Sequence, residues 1–155
     1  MSGSSASEQD YNIGLCEEVI VTTPSETKGE SISFLRTIPI LRIFSVEKAK
    51  EFYCGFLGFK VDWEHTFEPN TPVYMQVSRG SLRLHLSEHH GDGSPGARIF
   101  VEMLGVEEFH REVSGKGYRY LRPGIQDEFY RARAMNVIDP FGNRISFNEF
   151  KQPHD

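Results

Sequence analysis

Residues 84–93, LHLSEHHGDG, carry three of the chain's six histidines and two carboxylates. Imidazole and carboxylate groups at this density suggest two chemistries. One is ligation of a divalent cation. The other is proton transfer by a histidine, whose ordinary pKa of ~6.5 suits a general base. Spacing narrows the choice. His89 and His90 are neighbours and project in opposite directions on an extended chain. Gly91, Gly93, Pro95 and Gly96 are loop formers, so Glu88, His89, His90 and Asp92 read as a solvated connection. His85 stands apart, flanked by Leu84 and Leu86 in a run that alternates with period two. With Glu102, on a later strand, it forms the candidate catalytic pair. His65 and His110 read as solvated. Cys54 has nothing near it in sequence to lower its pKa and reads as a structural thiol.

These groups must be carried by a chain of 155 residues with 38% hydrophobic residues and a formal net charge of −5. That length supports one domain, or two small repeated units, with a genuine core. An acidic balance gives no support to a nucleic-acid binder, which shows a basic face. No apolar stretch approaches the ~20 residues of a membrane span. Cys16 and Cys54 form no CxxC pair. The opening MSGSSASEQDYNIG has neither a basic leader nor an apolar run. The expectation is a cytoplasmic protein with no nucleic-acid or membrane partner. Residues 1–34 read as a partly disordered N-terminal arm, with 15–22 as a possible extra strand, and 35–150 as one domain.

Within that domain the pattern is regular. Residues 38–44 form a β-rich run. Ser45 follows as an N-cap, and Val46, Ala49, Tyr53, Phe56 and Leu57 give an apolar helical stripe that Gly58 ends. Residues 59–64 read as a strand, and 73–78 with 81–88 as a hairpin about Arg79-Gly80. The order then recurs. Residues 97–103 are a strand, Val106, Phe109 and Val113 mark a helix ended by Gly117, and 118–121 are a short strand. Residues 132–138 and 144–150 flank the turn Asp139-Pro140-Phe141-Gly142-Asn143. A repeat of one element order predicts two βαβββ modules, about 37–90 and 96–150.

The runs PILRIFSVEKAKEFYCGFLGF (39–59), VEEFHREVSGKGY (106–118) and VIDPFGNRISFNE (137–149) resemble the vicinal oxygen chelate superfamily of glyoxalases, bleomycin-resistance proteins and extradiol dioxygenases. The resemblance spans most of the chain beyond the N-terminal arm. It implies an α+β fold in which paired βαβββ modules build a U-shaped half-barrel trough, as a homodimer. Enzymes of the group hold a divalent metal at positions that correspond here to Ile38, His85, Arg98 and Ser146. Isoleucine has no lone pair to offer and arginine stays protonated, so no metal and no other cofactor is expected.

What remains is a trough. Strand alternation turns Arg42, Tyr74, Arg83, His85, Arg98, Phe100 and Ser146 into it, provided that no bulge inverts a strand. Trp63, Phe129 and Tyr130 add planar surface. The resemblance then implies a metal-independent binder of the bleomycin-resistance type, concerned with antibiotic resistance, that sequesters a small molecule. The arginines favour an anionic or electron-rich aromatic ligand. The alternative from another class is a superfamily enzyme, a lyase, isomerase or dioxygenase, that works through His85 and Glu102.

Overall fold

A computed structural model describes residues 31–152. The N-terminal arm expected over 1–34, with its extra strand at 15–22, therefore lies almost wholly outside the described residues. From Thr37 onward the chain forms one compact unit.

Its elements run β1 (Ile40–Arg42), α1 (Val46–Lys50) continuing into a π-helical stretch (Glu51–Phe56), β2 (Lys60–His65), β3 (Tyr74–Arg79), β4 (Leu82–Ser87), β5 (Arg98–Glu102), α2 (Val106–Gly115), β6 (Ile125–Glu128), β7 (Ala132–Ile138) and β8 (Arg144–Phe150). Two four-stranded sheets result, ordered β1-β4-β3-β2 and β5-β8-β7-β6. In each, the first strand pairs parallel with the last and the other pairings are antiparallel. The duplicated βαβββ order is thus present in the backbone.

Local chemistry explains the ends of α1. The Ser45 side chain accepts from the Lys48 amide at 3.3 Å, filling the cap that the exposed first turn requires. At the other end Gly58 sits at φ +74, and a Cβ there would lie 2.5 Å from the Arg79 Nη1. Only glycine serves both demands. The widened turns of the π-helical stretch carry Phe52, Tyr53 and Phe56, all buried.

One element departs from expectation. Residues 118–121 are not a strand; the sixth strand is Ile125–Glu128 instead. Tyr118 is used otherwise, its ring stacked on Phe56 at 4.6 Å between centroids. The true strand reads IQDE, which offers no alternating apolar signal. It forms because the turn at Phe129-Tyr130 folds it back on β7, with Arg131 at φ +59 closing the hairpin.

Both modules share one core. It takes Leu41, Ile43, Met75, Val77, Leu84 and Leu86 from the first sheet and Met135, Val137, Ile145 and Phe147 from the second. Between them lie Ala49, Phe52, Tyr53 and Phe56 of the first helix and Val106, Phe109 and Val113 of the second. Burial of each large apolar side chain stabilises the fold by about 1.5–3 kcal/mol. Each sheet therefore turns one face to the helices and leaves the other open.

Candidate functional site

The open face of the first sheet is built around an extra residue. Pairing of β2 with β3 runs Val61↔Val77 and then Trp63↔Gln76, so Asp62 is a bulge. A bulge places two consecutive residues against one partner and shifts every later side chain by one face. Unbulged alternation would put Asp62 and Glu64 on the open face and Trp63 in the core. The bulge instead delivers Trp63 and His65 to the open face, opposite Gln76 and Tyr74. Asp62 stays on that face too, bonded to Gln76 and Ser78.

A cavity of about 470 Å³ opens here, lined by Trp63, His65, Phe67, Tyr74, His89 and Asp92. The Trp63 and Tyr74 rings are nearly parallel, 6.0 Å apart and inclined by 10°. Phe67 stands edge-on to His65 at 4.8 Å and to His89 at 5.6 Å. From Tyr74 a polar chain runs away across the same sheet face. The Tyr74 hydroxyl lies 2.8 Å from His85 Nδ1, His85 Nε2 lies 3.1 Å from Gln76 Oε1, and Gln76 Nε2 donates to Asp62 Oδ2 at 2.8 Å. Ser78 donates to the other Asp62 oxygen at 2.9 Å. These two donors hold the Asp62 carboxyl below its usual range. Burial lowers the His85 pKa and raises that of Tyr74, the latter helped by the Asp92 charge.

The stretch 84–93 is thus more than a solvated connection. His90 is exposed, as expected. Ser87, fully buried, donates to Asp92 Oδ2 at 2.6 Å and accepts from the His89 amide at 3.0 Å. Glu88 accepts from the Val73 amide at 3.0 Å. These bonds fold His89 and Asp92 back over the open face, where His89 Nε2 is buried without a hydrogen-bond partner. Sequence reasoning missed His65, Phe67, His89 and Asp92 as site residues. The only trace of the return was period two continuing through positions 85, 87 and 89.

The second sheet's open face holds Phe100, Tyr130 and Phe150, each pair of rings within 6.3 Å. The Tyr130 hydroxyl donates to Asn148 Oδ1 at 2.8 Å, sealing Asn148 and Ser146 beneath it at 0% and 2% exposure. Phe129, at the hairpin tip, is 94% exposed and Arg98 is also exposed. The expected ligand residues therefore fall into two sets: Trp63, Tyr74 and His85 on one face, and Arg98, Phe100, Phe129, Tyr130 and Ser146 on the other.

The arginines do not converge. Arg42 lies 4.9 Å over the Phe44 ring, with Nη1 buried and unpartnered. Arg83 reaches back to the Ser81 carbonyl. Arg133 pairs with Glu107 and Asp127 on the helix side. Nor do the proposed catalytic groups meet. Glu102 lines a separate cleft of about 530 Å³ between the Arg79 hairpin and α2, while both ring nitrogens of His85 are already bonded. Among the described residues no group of three or more His, Cys, Asp and Glu side chains is placed to hold a metal ion. Ser146 spends its hydroxyl on Asn148. The inherited metal positions therefore do not fit a divalent ion.

Comparison with known proteins now adds the lineage. The family profile described as "Glyoxalase superfamily protein" matches residues 21–154. The chain belongs to the glyoxalase superfamily. Among its curated relatives is a bleomycin resistance protein of Geobacillus stearothermophilus, 28% identical over 131 residues, which covers 73% of this chain and 95% of the relative. A bleomycin resistance protein of Staphylococcus aureus matches to the same extent. Of solved structures, a bleomycin-binding protein complexed with bleomycin superposes with a TM-score of 0.62 at 18% identity, covering 76% of this chain and all of that one. The bleomycin-binding protein of Streptomyces verticillus with copper(II)-bleomycin gives 0.56 at 24% identity, covering 78% and 99%. The α+β fold of this superfamily is thereby established. No helix among the described residues is long and apolar enough to cross a membrane.

Proposed function

We propose that this member of the superfamily is a cytoplasmic, metal-independent binding protein that sequesters a planar aromatic compound on the open face of its first sheet. The observation that carries this reading is the bulge at Asp62, which brings Trp63 out of the core and parallel to Tyr74 above a cavity of about 470 Å³. Apolar walls with a few oriented polar groups are what a small-molecule site requires. The relatives named for bleomycin resistance support the same class of activity. The dispersed arginines and the presence of Asp62 and Asp92 favour an aromatic ligand over an anionic one.

The reading includes a homodimer. The two open faces carry Trp63, Phe67, Phe100, Phe129 and Phe150, all 41–94% exposed, an apolar surface that a second copy would cover. A second copy would set the first face of one protomer against the second face of its partner, completing a trough. The enzyme alternative loses its pair, since His85 and Glu102 serve different parts of the molecule.

Thermal-shift titration with bleomycin and with neutral planar aromatics tests the proposal. Stabilisation that saturates, and that Tyr74→Ala abolishes, is the expected result. No stabilisation by any aromatic compound would overturn it.

A further inference from the structure

We propose that Asp62, the bulge residue of β2, sets the hydrogen-bond polarity of the ligand face: through Gln76 and His85 it fixes the Tyr74 hydroxyl as a donor to the protein, and hence as an acceptor toward the ligand. This rests on the aromatic-ligand reading and specifies which aromatic compounds the face prefers.

The logic follows donors and acceptors along the chain. An ionised carboxylate only accepts, so the group 2.8 Å from Asp62 Oδ2 must be the Gln76 NH₂. That orientation leaves Gln76 Oε1 toward His85. An amide oxygen only accepts, so His85 must donate from Nε2. In neutral imidazole one nitrogen donates and the other accepts. Nδ1 is therefore the acceptor, and the hydroxyl 2.8 Å away donates to it. The Tyr74 proton is committed to the protein, and its oxygen offers lone pairs to the cavity beside the Trp63 face. Burial, which disfavours imidazolium, keeps His85 in the neutral form that the chain needs. Ser78 holds the far Asp62 oxygen, so the carboxylate cannot rotate out of the chain without losing a second bond.

Asp62 thus acts through two residues and is a positioning residue. The face should favour planar ligands that bring an N–H or O–H donor to Tyr74 over isosteres that bring only an acceptor. Indole and benzofuran form such a pair, with the same shape and no charge, one donating and the other accepting.

Two measurements on the full chain decide the matter. Long-range ¹⁵N–¹H spectra at pH 7.5 report the histidine tautomers without any ligand. His85 is expected to be neutral and protonated on Nε2 in the wild type, and to shift toward protonation on Nδ1 in both Asp62→Ala and Asp62→Asn, where Gln76 is free to turn over. Indole should bind the wild type about five-fold more tightly than benzofuran, the discrimination one neutral hydrogen bond supplies, and the preference should fall below about two-fold in both variants. Protonation of His85 on Nδ1 in the wild type, an unchanged tautomer in both variants, or an unchanged indole preference in a variant whose tautomer has shifted would overturn the proposal. Failure of both compounds to bind would count against the aromatic-ligand reading, while the tautomer spectra still decide the polarity claim.

Discussion

Asp139 shows how much one residue of the D-P-F-G turn carries. Its Oδ1 accepts from the amides of Phe141 and Asn143, at 2.9 and 2.8 Å. Its Oδ2 accepts from the Tyr53 hydroxyl at 2.8 Å and the Asn143 side chain at 2.7 Å. Asn143 passes the link on by donating to the Arg42 carbonyl. The local capping role is legible from the turn sequence. The tie to Tyr53, 86 residues away, is not, because nothing local to either residue encodes it. Tyr53→Phe should destabilise the fold by about 1–2 kcal/mol in urea denaturation, by loss of one buried bond. Asp139→Ala should cost about 3 kcal/mol or more, since it strands several buried donors at once. Equal effects from the two changes would mean that the turn amides find other partners.

At the scale of elements, the modules are clamped where the β3–β4 hairpin meets α2. Arg79 donates to Glu112 through both Nη atoms, at 2.9 and 2.6 Å, and to the Leu57 carbonyl, while its guanidinium lies 4.6 Å over Phe109. Lys116 adds a bond to Glu112. Arg79 above all, with Lys116, holds the Glu112 carboxyl down to about 2. A depressed carboxyl contributes stability that is complete above its unfolded value of 4.5 and is lost as pH falls toward about 2. The group is 40% exposed, so solvent screening limits the contribution to about 1 kcal/mol or less. The urea midpoint gap between the wild type and Glu112→Gln should therefore be largest above pH 4.5 and close as pH drops to 2. A gap that stays constant across that window would remove the ion pair as its source. Sheet elements were legible wherever one face is buried, as in Met75 and Val77 or Leu84 and Leu86. Two features were not. The bulge at Asp62 leaves no mark in composition, and Ile125–Glu128 is a strand held by its hairpin partner and not by its own apolar pattern.

From Thr37 onward the molecule is a core shared by two helices and two sheets, and the open faces of those sheets carry aromatic side chains at the surface. Exposed patches of that kind mark interaction sites. Phe129 makes a direct test because it is 94% exposed in the single chain. Phe129→Asp should leave the urea stability of the monomer within about 0.5 kcal/mol while shifting sedimentation toward monomer. A wild type that sediments as monomer at all concentrations would remove the two-chain trough. At this scale the duplicated modules and the open faces were readable from strand order and alternation. The sorting of site residues onto two separate faces was not, because alternation tells which side a residue takes but not which sheets come to face one another.

Trp63 is the chain's one tryptophan, and the bulge sets it at the mouth of the proposed site, so its fluorescence reports on the central claim directly. Titration with bleomycin, or with indole-sized aromatics where these bind, should change Trp63 emission saturably at one ligand per protomer, with Tyr74→Ala weakening the response at least about ten-fold, as loss of a stacking and hydrogen-bonding anchor would. Emission that stays unchanged while calorimetry shows a ligand bound would place the binding site elsewhere and contradict the role assigned to the first sheet's open face.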